Sequence, residues 1–278
     1  MTSVGRDDTP SFTDVGEGET VVLLHGWPVG PSVFRRLAPL LATRFQVITP
    51  DLTGGGTIAS HATAVGALLG SLGVERCAVI GHSHGGAVAQ LLALDTAVVD
   101  VLVLLDSVAF DIEPPTDLSP RAFVERGSVE FATLPSADLD GYVAAPARDA
   151  PALADVLTSR EPELSALTMP VFMLWGEDDI FVPLAVAERL NETIGGSTLG
   201  VVPDSGHFLL DDAFDSVGVL IAEYLRARFL GAPHGHEGIV MMQLERRPPG
   251  LDLSPLEADD DGEPITPDPR DQEVGPNP

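Results

Sequence analysis

Short apolar runs recur along roughly the first 200 residues, each closed by glycine, proline or a polar turn. Val21–Leu24, Phe45–Ile48, Cys77–Ile80, Val101–Leu105, Val171–Trp175 and Leu199–Val202 show little polar alternation. A strand with one wet face alternates; a strand covered on both faces does not. These runs therefore predict buried parallel strands. Helical patterns separate them at about 32–41, 62–72 and 86–94, and an amphipathic helix follows at about 217–229. A short strand near Phe12 precedes the series. Strand and helix in alternation predict an α/β fold: a mostly parallel, doubly wound sheet with helices on both faces. The alternation breaks between about 108 and 167, where helical pieces rich in Pro, Asp and Ala intervene.

The chemistry gathers at the C-terminal ends of the predicted strands, the edge where open α/β sheets form their sites. Gly81-His82-Ser83-His84-Gly85 lies between a strand run and a helix run. That is the context of a nucleophile elbow, in which a sharp strand-to-helix turn thrusts a Ser hydroxyl outward. Strand and helix cross too closely for side chains two residues either side of the Ser, which Gly81 and Gly85 satisfy. With 28 Gly in the chain the bare pattern arises by chance roughly once in six such sequences, so its context carries the weight. Three further segments lie at strand ends: His25-Gly26-Trp27-Pro28, Gly176-Glu177-Asp178-Asp179 and Pro203-Asp204-Ser205-Gly206-His207. Ser, Asp and His follow one another in that chain order.

HGWP at 25–28, PDLTGGG at 50–56, GHSHGG at 81–86, WGEDDIFVP at 175–183 and SGHFLLDD at 205–212 together resemble the α/β-hydrolase family, in particular its small, cofactor-free serine hydrolases. The resemblance implies Ser83 as nucleophile, Asp179 as acid and His207 as base. It implies an oxyanion hole from the backbone N–H groups of Trp27 and His84, and no cofactor or metal. The acid has two other candidates: Asp178, also readable as a solvated loop residue, and Asp106 at the end of Val101–Leu105, also readable as a loop cap. The family's layout implies a core from 1–107 and 168–231, a helical cap over 108–167 and an acidic, Pro-rich, largely disordered tail from 232. Phe110, Phe123, Phe131 and Tyr142 are the bulky groups of that cap. Within the tail, 238–244 is apolar enough to add a strand or dock on a partner.

The implied activity is cleavage of a small carboxylic ester or lactone through an acyl-enzyme on Ser83. Perhydrolysis, lyase or cyclising chemistry on the same residues is the alternative, and a non-catalytic ligand receptor a further one. Epoxide opening and dehalogenation fall away, because the family members that perform them use an Asp where this chain has Ser83. Of the other histidines, His25 reads as a structural hydrogen-bonder and His61 as a helix-surface residue. His82 and His84 flank the nucleophile without being able to serve as its base. His234 and His236 have too few neighbouring ligands for a metal site.

Charge and cysteine usage narrow the partners. The 278 residues carry a net charge of −27, with 15 basic residues, all Arg. Such a field repels nucleic acid and anionic membrane, leaving a small-molecule acyl substrate as the expected partner and the oligomeric state open. Met1–Thr20 holds acidic residues and no apolar stretch, unlike a secretory signal. Cys77 is alone and offers no disulfide framework. These features read as a cytoplasmic protein.

Overall fold

A computed structural model of the chain describes residues 10–53, 56–109, 120–128, 160–229 and 238–240. The strands are β1 (Phe12–Val15), β2 (Thr20–Leu24), β3 (Gln46–Pro50), β4 (Cys77–His82), β5 (Val99–Leu105), β6 (Val171–Gly176), β7 (Thr198–Val202) and β8 (Gly238–Val240). They form one sheet in the order β1-β3-β2-β4-β5-β6-β7-β8. β1 is antiparallel to β3, and every other pairing is parallel. The helices are α1 (Leu37–Ala42), α2 (Ile58–Ser71), α3 (His84–Asp95), α4 (Pro120–Gly127), α5 (Leu184–Thr193), α6 (Leu209–Asp212) and α7 (Phe214–Phe229). A further helical stretch covers 160–164.

The period of the strand explains why its apolar runs are continuous. Val22 and Leu24, Cys77 and Val79, Leu102 and Leu104, and Met173 and Trp175 join one core cluster with side chains of α2, α3 and α5. The intervening Val21, Leu23, Ala78, Ile80, Val103 and Leu174 are equally buried but lie outside that cluster. Alternation turns them to the opposite face, where Phe172 stacks on Tyr224 of α7 with ring centroids 4.6 Å apart. Each buried aliphatic side chain contributes about 2 kcal/mol, so both layers help hold the sheet beneath the site.

Element boundaries differ from the sequence pattern in two places. The helix expected over 32–41 divides into a 3-10 turn at Pro31–Phe34 and α1. Arg35 and Arg36 lie between them and pair with Asp211 at 2.8 Å and Asp215 at 2.9 Å. α2 starts at Ile58 rather than near 62 because Thr57 caps it. The Thr57 hydroxyl accepts the Ser60 N–H at 3.1 Å while the Ser60 hydroxyl accepts the Thr57 N–H at 2.8 Å. This is a capping box built with Ser where Glu or Gln is the usual signal.

Contacts divide the chain into Met1–Gln243 and Leu244–Pro278. All the elements above belong to the first unit, and the second lies outside the described residues. So do Gly54, Gly55, Phe110, Phe131, Tyr142, His234 and His236. Among the described residues no helix is long and apolar enough to cross a membrane.

Candidate active site

β4 ends at His82 and α3 begins at His84, so Ser83 alone makes the turn. Its φ of 52° and ψ of −120° lie where L-residues are strained. The turn is held on both sides: Ser83 N–H donates to the Leu105 carbonyl at 3.0 Å, and the Ser83 carbonyl accepts Val108 N–H at 3.1 Å and Gly86 N–H at 2.9 Å. A Cβ on Gly81 would sit 2.5 Å from the Gly85 carbonyl oxygen and 2.6 Å from Gly86 Cα. A Cβ on Gly85 would strike the Leu24 carbonyl. Only glycine lets strand, elbow and the neighbouring β2 approach this closely.

The Ser83 hydroxyl donates to His207 Nε2 at 2.8 Å, and His207 Nδ1 donates to Asp179 Oδ2 at 2.8 Å. A carboxylate can only accept, so Nδ1 carries the proton and Nε2 presents a lone pair to Ser83. Asp179 Oδ1 accepts the N–H groups of Phe181 at 2.8 Å and Val182 at 2.9 Å. The carboxylate is thereby oriented by its own loop. Asp179 is 6% exposed, whereas the neighbouring Asp178 side chain lies in solvent. Of the three acid candidates, Asp179 is the one that bonds to His207.

Several residues brace the imidazole, and the sequence reading assigned none of them this role. His82 Nε2 donates to the His207 carbonyl at 2.8 Å. Gly206 N–H donates to Asp212 Oδ2 at 2.8 Å, and the Ser128 hydroxyl donates to the other oxygen of Asp212. Phe208 N–H donates to the carbonyl of Gly127, the last residue of α4, at 3.2 Å. Phe123 of α4 stacks on Phe181 with centroids 3.9 Å apart, and both rings meet His207 edge-on at 5.6 Å. Aromatic walls of this kind keep water from the imidazole and strengthen its hydrogen bonds. Spacing carried no signal for Ser128 and Asp212, which are 84 residues apart. Asp212 stood within a quoted motif but had no local partner to mark it.

Trp27 lies in the loop after β2, and His84 directly follows Ser83. His84 is the first residue of α3, where an N–H has no intrahelical acceptor. Among the described residues neither the Trp27 N–H nor the His84 N–H has a hydrogen-bond partner. The loop after β2 lies against the nucleophile: a Cβ on Gly26 would come within 2.8 Å of Ser83 Cβ. His25 fixes that loop. Its Nε2 accepts Leu52 N–H at 2.8 Å and its Nδ1 donates to the Gly26 carbonyl at 2.9 Å. The Trp27 ring meets Phe123 edge-on at 5.6 Å.

His61 corrects the surface reading of that residue. It is 9% exposed and its ring packs at a tilt against that of His84, with centroids 5.2 Å apart. Burial pushes both His82 and His84 down to about 3, aided in His82 by His207 and in His84 by His61. Neither becomes a cation beside the nucleophile at neutral pH. In the unfolded chain both imidazoles titrate near 6.5. Between that value and 3 the unfolded state binds more protons, so stability is full above about 6.5 and falls as pH drops below it. Each group removes up to about 1.4 kcal/mol per pH unit in that window. Thermal melts at pH 7.5, 6 and 5 are expected to show a falling midpoint, less steep for His84→Gln; identical slopes for the two proteins would contradict a buried neutral His84. Among the described residues no group of three or more His, Cys, Asp or Glu is arranged to hold a metal ion.

Comparison with known proteins agrees with the fold. Residues 21–218 match the model of the alpha/beta hydrolase family. The chain is 25% identical over 258 residues to haloalkane dehalogenase 2 of Mycobacterium tuberculosis, covering 76% of this chain and 90% of that protein. A thermophilic esterase from Thermogutta terrifontis superposes with a TM-score of 0.68 at 26% identity, over 78% of this chain and 93% of that one. The enol-lactonase from Burkholderia xenovorans superposes with a TM-score of 0.69 at 20% identity, over 78% and 96%. The relatives named are hydrolases that act on different bonds. The sheet order, the elbow after β4 and the match across 21–218 make this chain a member of the alpha/beta hydrolase family.

Proposed function

We propose that the protein is a serine hydrolase that cleaves a small carboxylic ester or lactone through an acyl-enzyme on Ser83. What carries this reading is the unbroken hydrogen-bonded series from the Ser83 hydroxyl through His207 to Asp179, at 2.8 Å for each step. As Ser83 Oγ bonds to the substrate's carbonyl carbon, its proton passes to His207 Nε2. Asp179 holds the resulting imidazolium. The carbonyl oxygen gains the negative charge, and the N–H groups of Trp27 and His84 receive it; one such donor is typically worth about 10²–10³ in rate. The C–O bond to the alcohol then breaks, and His207 returns the proton to the departing oxygen. Water repeats the sequence on the acyl-enzyme, releasing the acid and restoring Ser83.

The hydroxyl nucleophile separates this chain from its dehalogenase-named relative. Displacement of a halide, or opening of an epoxide, by Ser83 Oγ would leave an alkyl ether. An ether has no carbonyl for water to attack, so turnover would stop after one event. An acyl-enzyme has that carbonyl, and the two N–H groups face it again in the second half-reaction. The rings of Phe123 and Phe181 against His207, with Trp27 packed on Phe123, favour an apolar group beside the ester.

The reading is tested by incubation with a fluorophosphonate, followed by peptide mapping, and by p-nitrophenyl esters of increasing acyl length assayed with and without hydrogen peroxide. Labelling at Ser83 and peroxide-independent cleavage are expected. A folded protein that neither labels nor cleaves would favour a ligand receptor on this fold, and turnover seen only with peroxide would favour perhydrolysis.

A further inference from the structure

Asp106 directly follows β5, and the three parts of the site meet around it. Its neighbours hold the Ser83 turn, through the Leu105 carbonyl at 3.0 Å and the Val108 N–H at 3.1 Å. Its own N–H donates to the Leu174 carbonyl of β6 at 3.1 Å. Its Oδ1 accepts the N–H of Gly176 at 2.8 Å, where the loop carrying Asp179 begins. The Leu209 N–H, two residues beyond His207, faces the same carboxyl. Asp106 is 0% exposed and has a φ of 44°. A turn needing only positive φ is met most cheaply by glycine. Here the fold retains a strained residue and a fully buried polar group as well, both of which cost stability.

We propose that Asp106 is a positioning residue that ties the Ser83 turn, the Asp179 loop and the His207 loop to one another. Its kinetic consequence rests on the serine-hydrolase reading; its structural consequence does not. The pKa of the carboxyl is pushed well above the usual carboxylate range, toward its uncharged form. Burial disfavours its anion first; next, Asp179 of the neighbouring loop and Asp212 of α6 repel a further negative charge, and the Gly176 and Leu209 N–H groups offset this only in part. Among the described residues Oδ2 has no hydrogen-bond partner. An anion at this place would oppose the charge on Asp179 and draw the imidazolium off line. A neutral acid holds the Gly176 N–H without doing either.

Asp106→Asn and Asp106→Gly test the tie. Asn retains an acceptor for Gly176 and tolerates positive φ, while Gly retains the backbone and deletes the carboxyl. On a p-nitrophenyl ester, Asp106→Gly is expected to lower kcat at least about 10-fold with KM changed less than about 3-fold, and Asp106→Asn to stay within about 3-fold of wild type. Wild-type kcat in Asp106→Gly would overturn the tie. Should that variant not fold, a loss above about 10-fold in Asp106→Asn would overturn it instead. Melting curves test the uncharged state without any assay of turnover. A folded-state pKa above the unfolded one means that the Asp106 contribution to stability falls as pH rises from about 4 toward the raised value, against the opposite trend set by His82 and His84, and Asp106→Asn lacks that contribution. The Asn midpoint should therefore draw ahead with rising pH, to about 2–4 °C; parallel curves would overturn it. If wild type cleaves no ester, the ester reading fails, and these melts with a lowered midpoint in Asp106→Gly still decide the role of Asp106.

Discussion

Ser83→Ala is expected to lower kcat/KM on p-nitrophenyl acetate by about 10⁶-fold, with circular dichroism and melting midpoint close to wild type. The size follows from the division of labour. The hydroxyl is the proposed attacking group, and among the described residues no other donor lies on His207 Nε2. Without it His207 and Asp179 have no nucleophile to activate, and in the proposed mechanism what survives is binding plus the proposed Trp27 and His84 N–H donors, worth about 10³–10⁴ over water. The fold should tolerate the change, because alanine keeps the Ser83 backbone bonds to Leu105 and Val108. Its positive φ of 52° is already strained in the parent. Mass spectrometry after fluorophosphonate treatment gives the companion result: one adduct in wild type, none in the variant. Undiminished turnover by the variant would move the nucleophile elsewhere.

Asp179→Asn should lower kcat by about 10⁴-fold with KM little altered, and Asp178→Asn should leave both within about 2-fold. The asymmetry comes from the proton on the imidazole. Asp179 accepts from His207 Nδ1 at 2.8 Å and so keeps Nε2 bare. An amide that keeps its oxygen on the Phe181 and Val182 N–H groups turns its NH₂ toward Nδ1. That favours the tautomer with the proton on Nε2, which cannot accept from Ser83. The imidazolium formed during attack also loses its counter-charge. Asp178 has no such contact and stands in solvent. Steady-state kinetics on both variants settle the ranking, and a larger loss in Asp178→Asn would reassign the acid.

What the sequence revealed and what it hid divide along a physical line. The strands were legible because burial on both faces leaves a local mark, a run such as Val79-Ile80 with no polar break. The elbow was legible because its steric demand falls on residues next to one another, Gly81, Ser83 and Gly85. The meeting of Ser83, His207 and Asp179 followed from each lying just past a strand of one parallel sheet. The braces were not legible. His82 on the His207 carbonyl, Ser128 on Asp212 and Asp106 on Gly176 are pairings across loops, and nothing near either partner marks them. His61 was misread for a related reason: a lone imidazole on a helix looks like surface until the facing helix supplies His84. The break in the first helix at Arg35 and Arg36 answers to Asp211 and Asp215, which lie far along the chain.

The C-terminal end of α4 does more than roof the site. Through Gly127 and Ser128 it bonds to Phe208, next to His207, and to Asp212, which in turn holds Gly206. The helix above the site and the His207 loop are therefore not interchangeable modules in this member of the alpha/beta hydrolase family. Transplanting a foreign roof to retune selectivity would also have to import that two-residue clasp, or the imidazole would lose its alignment along with its old ceiling.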